Sequence, residues 1–191
     1  MDILHNILFT LGEYSPVILI IPTLTLLYNK PTLYYYYIFG LVINSMLNIT
    51  LKLLIKEPRP RPSLSSSPHL KNANATKNEN TETSLTFSNL AHFDNYGMPS
   101  GHAQIVFFST IYIWLAFKNI KITLVYLCVS LITLYQRVKY NKHTISQVIV
   151  GMFIGSLMAA LTYFFFKKKI VGILKFKPDD NFKIASIGAN L

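Results

Sequence analysis

Apolar residues in this chain gather into long runs separated by short polar breaks. Residues 3–28, 33–55, 102–117, 122–136 and 145–166 are the runs. A membrane-crossing helix takes about 20 mostly apolar residues, with a range of roughly 17–25. The pattern therefore predicts an all-α, polytopic membrane bundle of about five spans. The third and fourth runs are short, and the fourth is expected to lengthen at both ends. Glu13 and Pro16 interrupt the first. Its opening turns are expected at the membrane interface, with the span proper from about Ser15 to Tyr28. It is not expected to be a cleaved signal peptide, because it has no basic start and no small-residue cleavage site. Asn29-Lys30-Pro31 and Lys118 to Lys121 read as turns. The fifth run closes on Tyr163 to Phe166, followed by Lys167, Lys168, Lys169 and a polar tail.

Residues from Glu57 to about Asn95 break the pattern. They are rich in Pro, Ser, Asn and Thr and almost without apolar periodicity, which predicts a long mobile loop, at about 61–95. Asn74-Ala75-Thr76 within it is an N-glycosylation sequon. The chain thus divides into one transmembrane domain, 1–170, and a polar tail, 171–191.

Composition supports the membrane reading: 51% of residues are hydrophobic and only 14% are charged. The 13 Phe and 12 Tyr suit aromatic belts at the interfaces. A formal charge of +10 raises nucleic acid as a partner, but the basic residues sit at the ends of apolar runs rather than on a basic tail or amphipathic face. Membrane lipids, not nucleic acid, are the expected partners. Cys128 is the only cysteine, so neither a disulfide framework nor a cysteine metal site is expected. Gly151 and Gly155 have the small-xxx-small spacing of a close helix crossing inside one bundle.

Polar residues at the run boundaries form three clusters: Lys52 to Pro60, Tyr96 to His102, and Gln136 to Gln147. With five spans, the ends of the second and fourth and the starts of the third and fifth share one membrane face. Lys52, Arg59, Ser100, His102, Arg137 and His143 are therefore expected to converge. Cationic and ionisable side chains beside hydrocarbon are costly, which argues for a functional site. Lys52 and Arg59 share a helical face if that helix continues past both. Arginine suits bidentate phosphate contacts and lysine acts as a point charge. Pro99-Ser100-Gly101-His102 reads as a helix start, with Ser100 as N-cap and Gly101 letting an anion reach the backbone. Thr144 or Ser146 is expected to cap the fifth helix. His143 and Gln147, four apart, face the same way on a helix. Gln147 accepting from one imidazole nitrogen leaves the other free as a nucleophile.

Lys52-x6-Arg59-Pro60, Pro99-Ser100-Gly101-His102 and Arg137-x5-His143 resemble the three signatures of the type-2 phosphatidic acid phosphatase superfamily. The resemblance covers roughly residues 45–165. Lys56 to Pro60, Tyr96 to Ser100 and His143 to Val148 look most like its dolichyl-diphosphatase branch. The resemblance implies the helical core shared with vanadate-dependent peroxidases, and hydrolysis of a lipid diphosphate such as dolichyl diphosphate without metal or other cofactor. A phosphatidate or short-prenyl phosphatase and a non-catalytic lipid-phosphate binder are the alternatives. It implies catalytic roles for His143 as nucleophile, His102 as acid and base, and Gln147 as orienting group. It also implies that Lys52, Arg59, Ser100, Gly101 and Arg137 hold the phosphoryl oxygens. Two positions depart from the broader family: Gln136 replaces a serine, and Gln147 replaces an aspartate. Glutamine at 147 is similar to the dolichyl-diphosphatase branch, and aspartate substituted there is expected to retain activity. Lys30, Lys118, Lys121 and the tail lysines lie opposite the site, which puts the tail in the cytosol. The site is then expected to face the lumen of the endoplasmic reticulum, and glycosylation found at Asn74 would support that side.

Overall fold

The computed structural model describes residues 2–60 and 96–173, with side chains described for 6–60 and 96–165. The loop at about 61–95, its sequon and most of the tail lie outside these residues. The helices are α1 (Asp2–Leu27), α2 (Pro31–Ile55), α3 (Gly101–Phe117), α4 (Ile120–Lys139) and α5 (Ile145–Ile173). Within them, Asn6–Leu27, Pro31–Ile55, Ile120–Lys139 and Ile145–Phe165 are long and apolar enough to cross a membrane. The third run forms a shorter helix of 17 residues, about 26 Å at 1.5 Å per residue. That falls short of a hydrocarbon core of about 30 Å. α3 touches each of the other four helices and sits at the centre of the bundle. It buries residues around most of its circumference, including Val106, Phe108, Tyr112 and Ile113. A helix apolar all round belongs in an interior.

The first run differs from expectation. α1 continues without a break through Glu13, Pro16 and Pro22. Pro16 lacks the N–H that would bond the Gly12 carbonyl one turn back. The Ser15 hydroxyl donates to that carbonyl instead, at 2.9 Å. A neighbouring hydroxyl thus replaces the missing donor, one of the ways membrane helices tolerate proline. α5 likewise runs past Lys167 to Lys169 and ends at Ile173, so the boundary near residue 170 falls inside a helix. α4 extends beyond 122–136 at both ends, to Ile120 and Lys139.

Polar groups inside the bundle are largely paired. Asn44, Asn48 and Lys52 follow Tyr37 and Gly40 down the buried face of α2. Asn48 Nδ2 donates to Gln104 Oε1 at 2.7 Å, and Gln104 Nε2 donates to Asn44 Oδ1 at 2.8 Å. Thr23 meets Tyr126 at 3.0 Å, and Tyr37 meets Ser109 at 2.8 Å. These pairs fix how the helices are rotated against one another, since an unpaired polar group in hydrocarbon costs several kcal/mol by order of magnitude.

The tightest crossing joins α3 to α5. A Cβ on Gly151 would stand 2.5 Å from the Ser100 carbonyl oxygen, and one on Gly155 would strike the Gln104 backbone. The small-residue spacing thus serves a crossing within this chain, and it brings the start of α3 against the first turns of α5.

Candidate active site

Each of the three polar clusters lies at a helix end on one side of the bundle. α2 ends at Ile55, where Lys56 takes a left-handed conformation (φ 54°) and its N–H bonds the Lys52 carbonyl at 3.0 Å. Lys52 and Arg59 therefore do not share a continuing helix. Arg59 reaches the site because the chain turns. Gly97 N–H donates to the Glu57 carbonyl at 2.7 Å, and Pro58 pairs with Tyr96 in an antiparallel bridge. This short pairing docks the first cluster on the second. Arg59 Nε points to the Tyr96 carbonyl at 3.5 Å.

The second cluster leads into α3. Ser100 occupies the N-cap position, but its hydroxyl makes no capping bond. Oγ is buried and has no hydrogen-bond partner among the described residues. The Ser100 N–H donates instead to the Gln147 carbonyl at 3.0 Å. At Gly101 a Cβ would lie 3.2 Å from Asn48 Oδ1, so glycine here admits α2 as well as keeping the backbone open. His102 places Nε2 3.1 Å from the Glu13 carbonyl. A carbonyl only accepts, so Nε2 carries the proton and Nδ1 is left for exchange.

The third cluster surrounds His143, in the turn between α4 and α5. His143 precedes the helix, so Gln147 does not meet it across a helical face as expected. The contact arises from a capping box. Gln147 N–H donates to Thr144 Oγ1 at 3.2 Å, and Thr144 N–H donates to Gln147 Oε1 at 3.2 Å. Thr144-x-x-Gln147 is the sequence signal for that box. Its amide then lies beside the imidazole. His143 Nδ1 is 3.0 Å from the Gly97 carbonyl and 3.2 Å from Gln147 Oε1.

The chemistry of the partners determines the orientation of the Gln147 amide. Its Nε2 donates to Glu57 Oε1 at 2.7 Å and to the Pro58 carbonyl at 3.0 Å. The Glu57 carboxylate and the Pro58 carbonyl are both acceptors, so this end of the amide must be NH₂ and Oε1 must face His143. The proton of neutral His143 therefore sits on Nδ1, and Nε2 holds the lone pair. Glu57 also changes what aspartate at 147 would do. A carboxylate there would meet a second carboxylate where the amide now donates, so retained activity is no longer the expectation.

The cations converge as their positions in the sequence suggest. Arg59, Arg137 and Lys52 all act electrostatically on the imidazoles of His102 and His143. Arg137 is buried, with its side chain 4% exposed, and Nη1 lies 3.3 Å from Glu13 Oε2. Its Nε and Nη2 have no hydrogen-bond partner among the described residues. Glu13 is thus a part of the site that sequence reasoning missed. Glu57, Gly97 and Asn48 were missed likewise. Asn48 donates to the Pro99 carbonyl at 3.2 Å and anchors the turn into α3.

Burial and the nearby charge of Arg59 push the His143 imidazole down to about 3; the Gln147 hydrogen bond opposes them, and Arg137 and Lys52 add to the depression. The ordinary value is about 6.5. Between the two, the unfolded chain binds the extra proton and the folded one does not. Stability from this group is therefore full above about pH 6.5 and falls as pH drops below it. An imidazole ¹⁵N titration in detergent should find His143 neutral at pH 5. A midpoint near 6.5 would contradict a buried, cation-flanked ring.

Comparison with known proteins identifies the family of the chain. The PAP2 superfamily profile matches residues 33–170. The dolichyldiphosphatase of Saccharomyces cerevisiae is 30% identical over 151 residues, covering 72% of this chain and 51% of that protein. Dolichyldiphosphatase 1 of Homo sapiens is 30% identical over 174 residues, covering 82% of this chain and 63% of that protein. The chloroplastic lipid phosphate phosphatase epsilon 1 of Arabidopsis thaliana is 28% identical over 134 residues, covering 66% of this chain and 38% of that protein. The chain spans less than two thirds of the length of each of these relatives. No solved structure matches. The profile match spans the residues Lys52, His102, Arg137 and His143, and the chain belongs to the PAP2 superfamily.

Proposed function

We propose that the chain hydrolyses a polyprenyl diphosphate such as dolichyl diphosphate to the monophosphate and phosphate, through a phosphohistidine on His143. One observation carries this reading. Three buried donors at the site, Arg137 Nε, Arg137 Nη2 and Ser100 Oγ, have no partner among the described residues. Buried polar groups are normally paired. Donors of this kind, in a site flanked by further cations, suit an anion whose oxygens accept several hydrogen bonds at once. Beside them is an imidazole held neutral, with its lone pair on Nε2.

In the first step Nε2 attacks the terminal phosphorus. The N–P bond forms as the P–O bond to the lipid monophosphate breaks, and the leaving oxygen takes the electron pair. Arg137, Arg59 and Lys52 offset the charge on the phosphoryl oxygens. Ser100 Oγ and the free N–H groups at the start of α3 add neutral donors. Gly97 and Gln147 take up the proton side of the imidazolium. His102 has its Nε2 proton engaged by Glu13. Burial, with the charge of Arg137, lowers its imidazole to about 3, so it gains a second proton, on Nδ1, only with the anionic substrate bound. In that form it supplies the leaving oxygen, and neutral it accepts a proton from water in the second step. That water cleaves the N–P bond, and phosphate leaves.

The names of the relatives support a lipid diphosphate as substrate. A phosphatidate or short-prenyl phosphatase is the second reading, favoured by the relative named as a lipid phosphate phosphatase. A lipid-phosphate binder without turnover has no need of a neutral, tautomer-fixed His143. The same reading places the site at the lumenal face of the endoplasmic reticulum membrane, with Lys30 and Lys118 at the opposite helix ends. Phosphate release from dolichyl diphosphate, dolichyl phosphate, phosphatidate and farnesyl diphosphate is the test. Dolichyl diphosphate should give the highest kcat/KM, and EDTA should not change it, because side chains carry every step. Faster release from phosphatidate would favour the second reading, and release from none would refute hydrolysis.

A further inference from the structure

Four hydrogen bonds close a ring around the proton side of His143. The Glu57 carbonyl accepts from Gly97 N–H, and the Gly97 carbonyl accepts from His143 Nδ1–H. That same Nδ1–H faces Gln147 Oε1, and Gln147 Nε2 donates to the Glu57 carboxylate. Among the described residues, the 2.7 Å contact to the carboxylate is shorter than either contact to Nδ1. Gln147 is fully buried, and Gly97 has no room for a Cβ because the Gln147 amide occupies that space. The amide is therefore clamped at both ends.

We infer that Glu57 is a positioning residue for the nucleophile, acting through Gln147. This rests on the reading of His143 as nucleophile. Attack by Nε2 leaves positive charge on the imidazole, and that charge is best met by an anion. Gln147 is neutral and supplies only an acceptor oxygen. An amide that donates to a carboxylate through its nitrogen gains electron density on its oxygen, since bonds in a chain polarise one another. Glu57 thus strengthens the acceptor that faces Nδ1–H. Together with the Pro58 carbonyl and the Thr144 N–H it also opposes the flipped amide, which would turn NH₂ toward His143 and work against the Nδ1–H tautomer that the Gly97 carbonyl accepts from. The backbone pairing of 57–58 with 96–97 holds the carboxylate in place.

An isosteric charge swap tests the assignment. Glu57→Gln removes the anion and keeps an oxygen for Gln147. It should lower kcat roughly ten-fold with KM nearly unchanged, within the 10–100-fold range of lost orienting partners. Gln147→Glu brings two carboxylates together and should lower kcat by about as much or more. The double variant restores one carboxylate and one amide in exchanged positions. It should be several-fold faster than either single variant, which a purely structural role for Glu57 does not explain. ¹⁵N spectra of His143 locate the ring proton independently of turnover. The wild type and the double variant should show the Nδ1–H tautomer, and Glu57→Gln a mixture. Unchanged kcat and tautomer in Glu57→Gln, or a double variant no better than the singles, would overturn the proposal. Should the wild type release no phosphate from any lipid in the panel, the hydrolase reading fails, and the tautomer measurement still decides the role of Glu57.

Discussion

Replacing His143 with alanine should lower phosphate release by at least about 10⁴-fold, as removal of a catalytic nucleophile does. The side chain lies in a turn, and among the described residues its hydrogen bonds go to Gly97 and Gln147. Both partners keep others: the Gly97 N–H stays with Glu57, and Gln147 stays with Thr144, Glu57 and Pro58. The variant should therefore fold and still bind phosphate. His102→Ala should behave differently. Loss of general acid–base help typically costs about 10²–10⁴-fold and leaves the nucleophile intact. With an activated substrate whose leaving group needs no proton, His102→Ala should accumulate an acid-labile phosphoenzyme, and the His102→Ala/His143→Ala double variant should not. Near-normal turnover by His143→Ala, or phosphoenzyme in the double variant, would remove His143 from the mechanism.

Arg137 and Glu13 should respond very unequally. Arg137→Ala removes two of the three unpartnered donors proposed to meet phosphate and should lower kcat/KM by about 10³-fold, the equivalent of roughly 4 kcal/mol of transition-state binding. Lysine should not rescue it, because a point charge cannot reproduce the planar donor set. The fold should survive, since the Glu13 side chain left behind is 34% exposed and water can solvate it. Glu13→Ala is the reverse case: it leaves the Arg137 charge buried without its ion-pair partner among the described residues. Breaking a buried pair this way costs about 3–5 kcal/mol, and the exposure of Glu13 argues for the lower end. Inorganic phosphate should restore much of that loss by supplying the missing anion. Thermal unfolding in detergent, with and without phosphate, reads both effects. Equal destabilisation by the two variants, or no effect of phosphate on Glu13→Ala, would show that Arg137 does not face an anion site.

Much of this architecture was legible in the apolar runs. Their lengths and number forecast the five helices, because a chain segment in hydrocarbon must satisfy its own backbone and a helix is the local way to do so. Span counting put the polar clusters on one face, because each crossing reverses the chain. Other features were present in the sequence and missed. Thr144-x-x-Gln147 is a capping box, and reading it as such would have placed His143 before the helix rather than on it. Ser15 directly before Pro16 was a local sign that α1 could pass through the proline.

Glu13 and Glu57 belong to a different class. Glu13 read as a flaw in the first span, and Glu57 as the start of a polar loop. Their roles depend on how far each helix is rotated about its axis and how closely it approaches its neighbours. A run that is apolar on every side has no preferred face, so it carries little information about rotation. That was decided in three dimensions, by the polar pairs between helices and by the close approach at Gly151 and Gly155. The number of helices and the types of catalytic side chain are local properties of the chain, which each segment reveals by itself. The carboxylates at Arg137 and Gln147 come from residues 124 and 90 positions away in sequence (137 − 13 and 147 − 57), and only packing brings such groups to within about 3 Å.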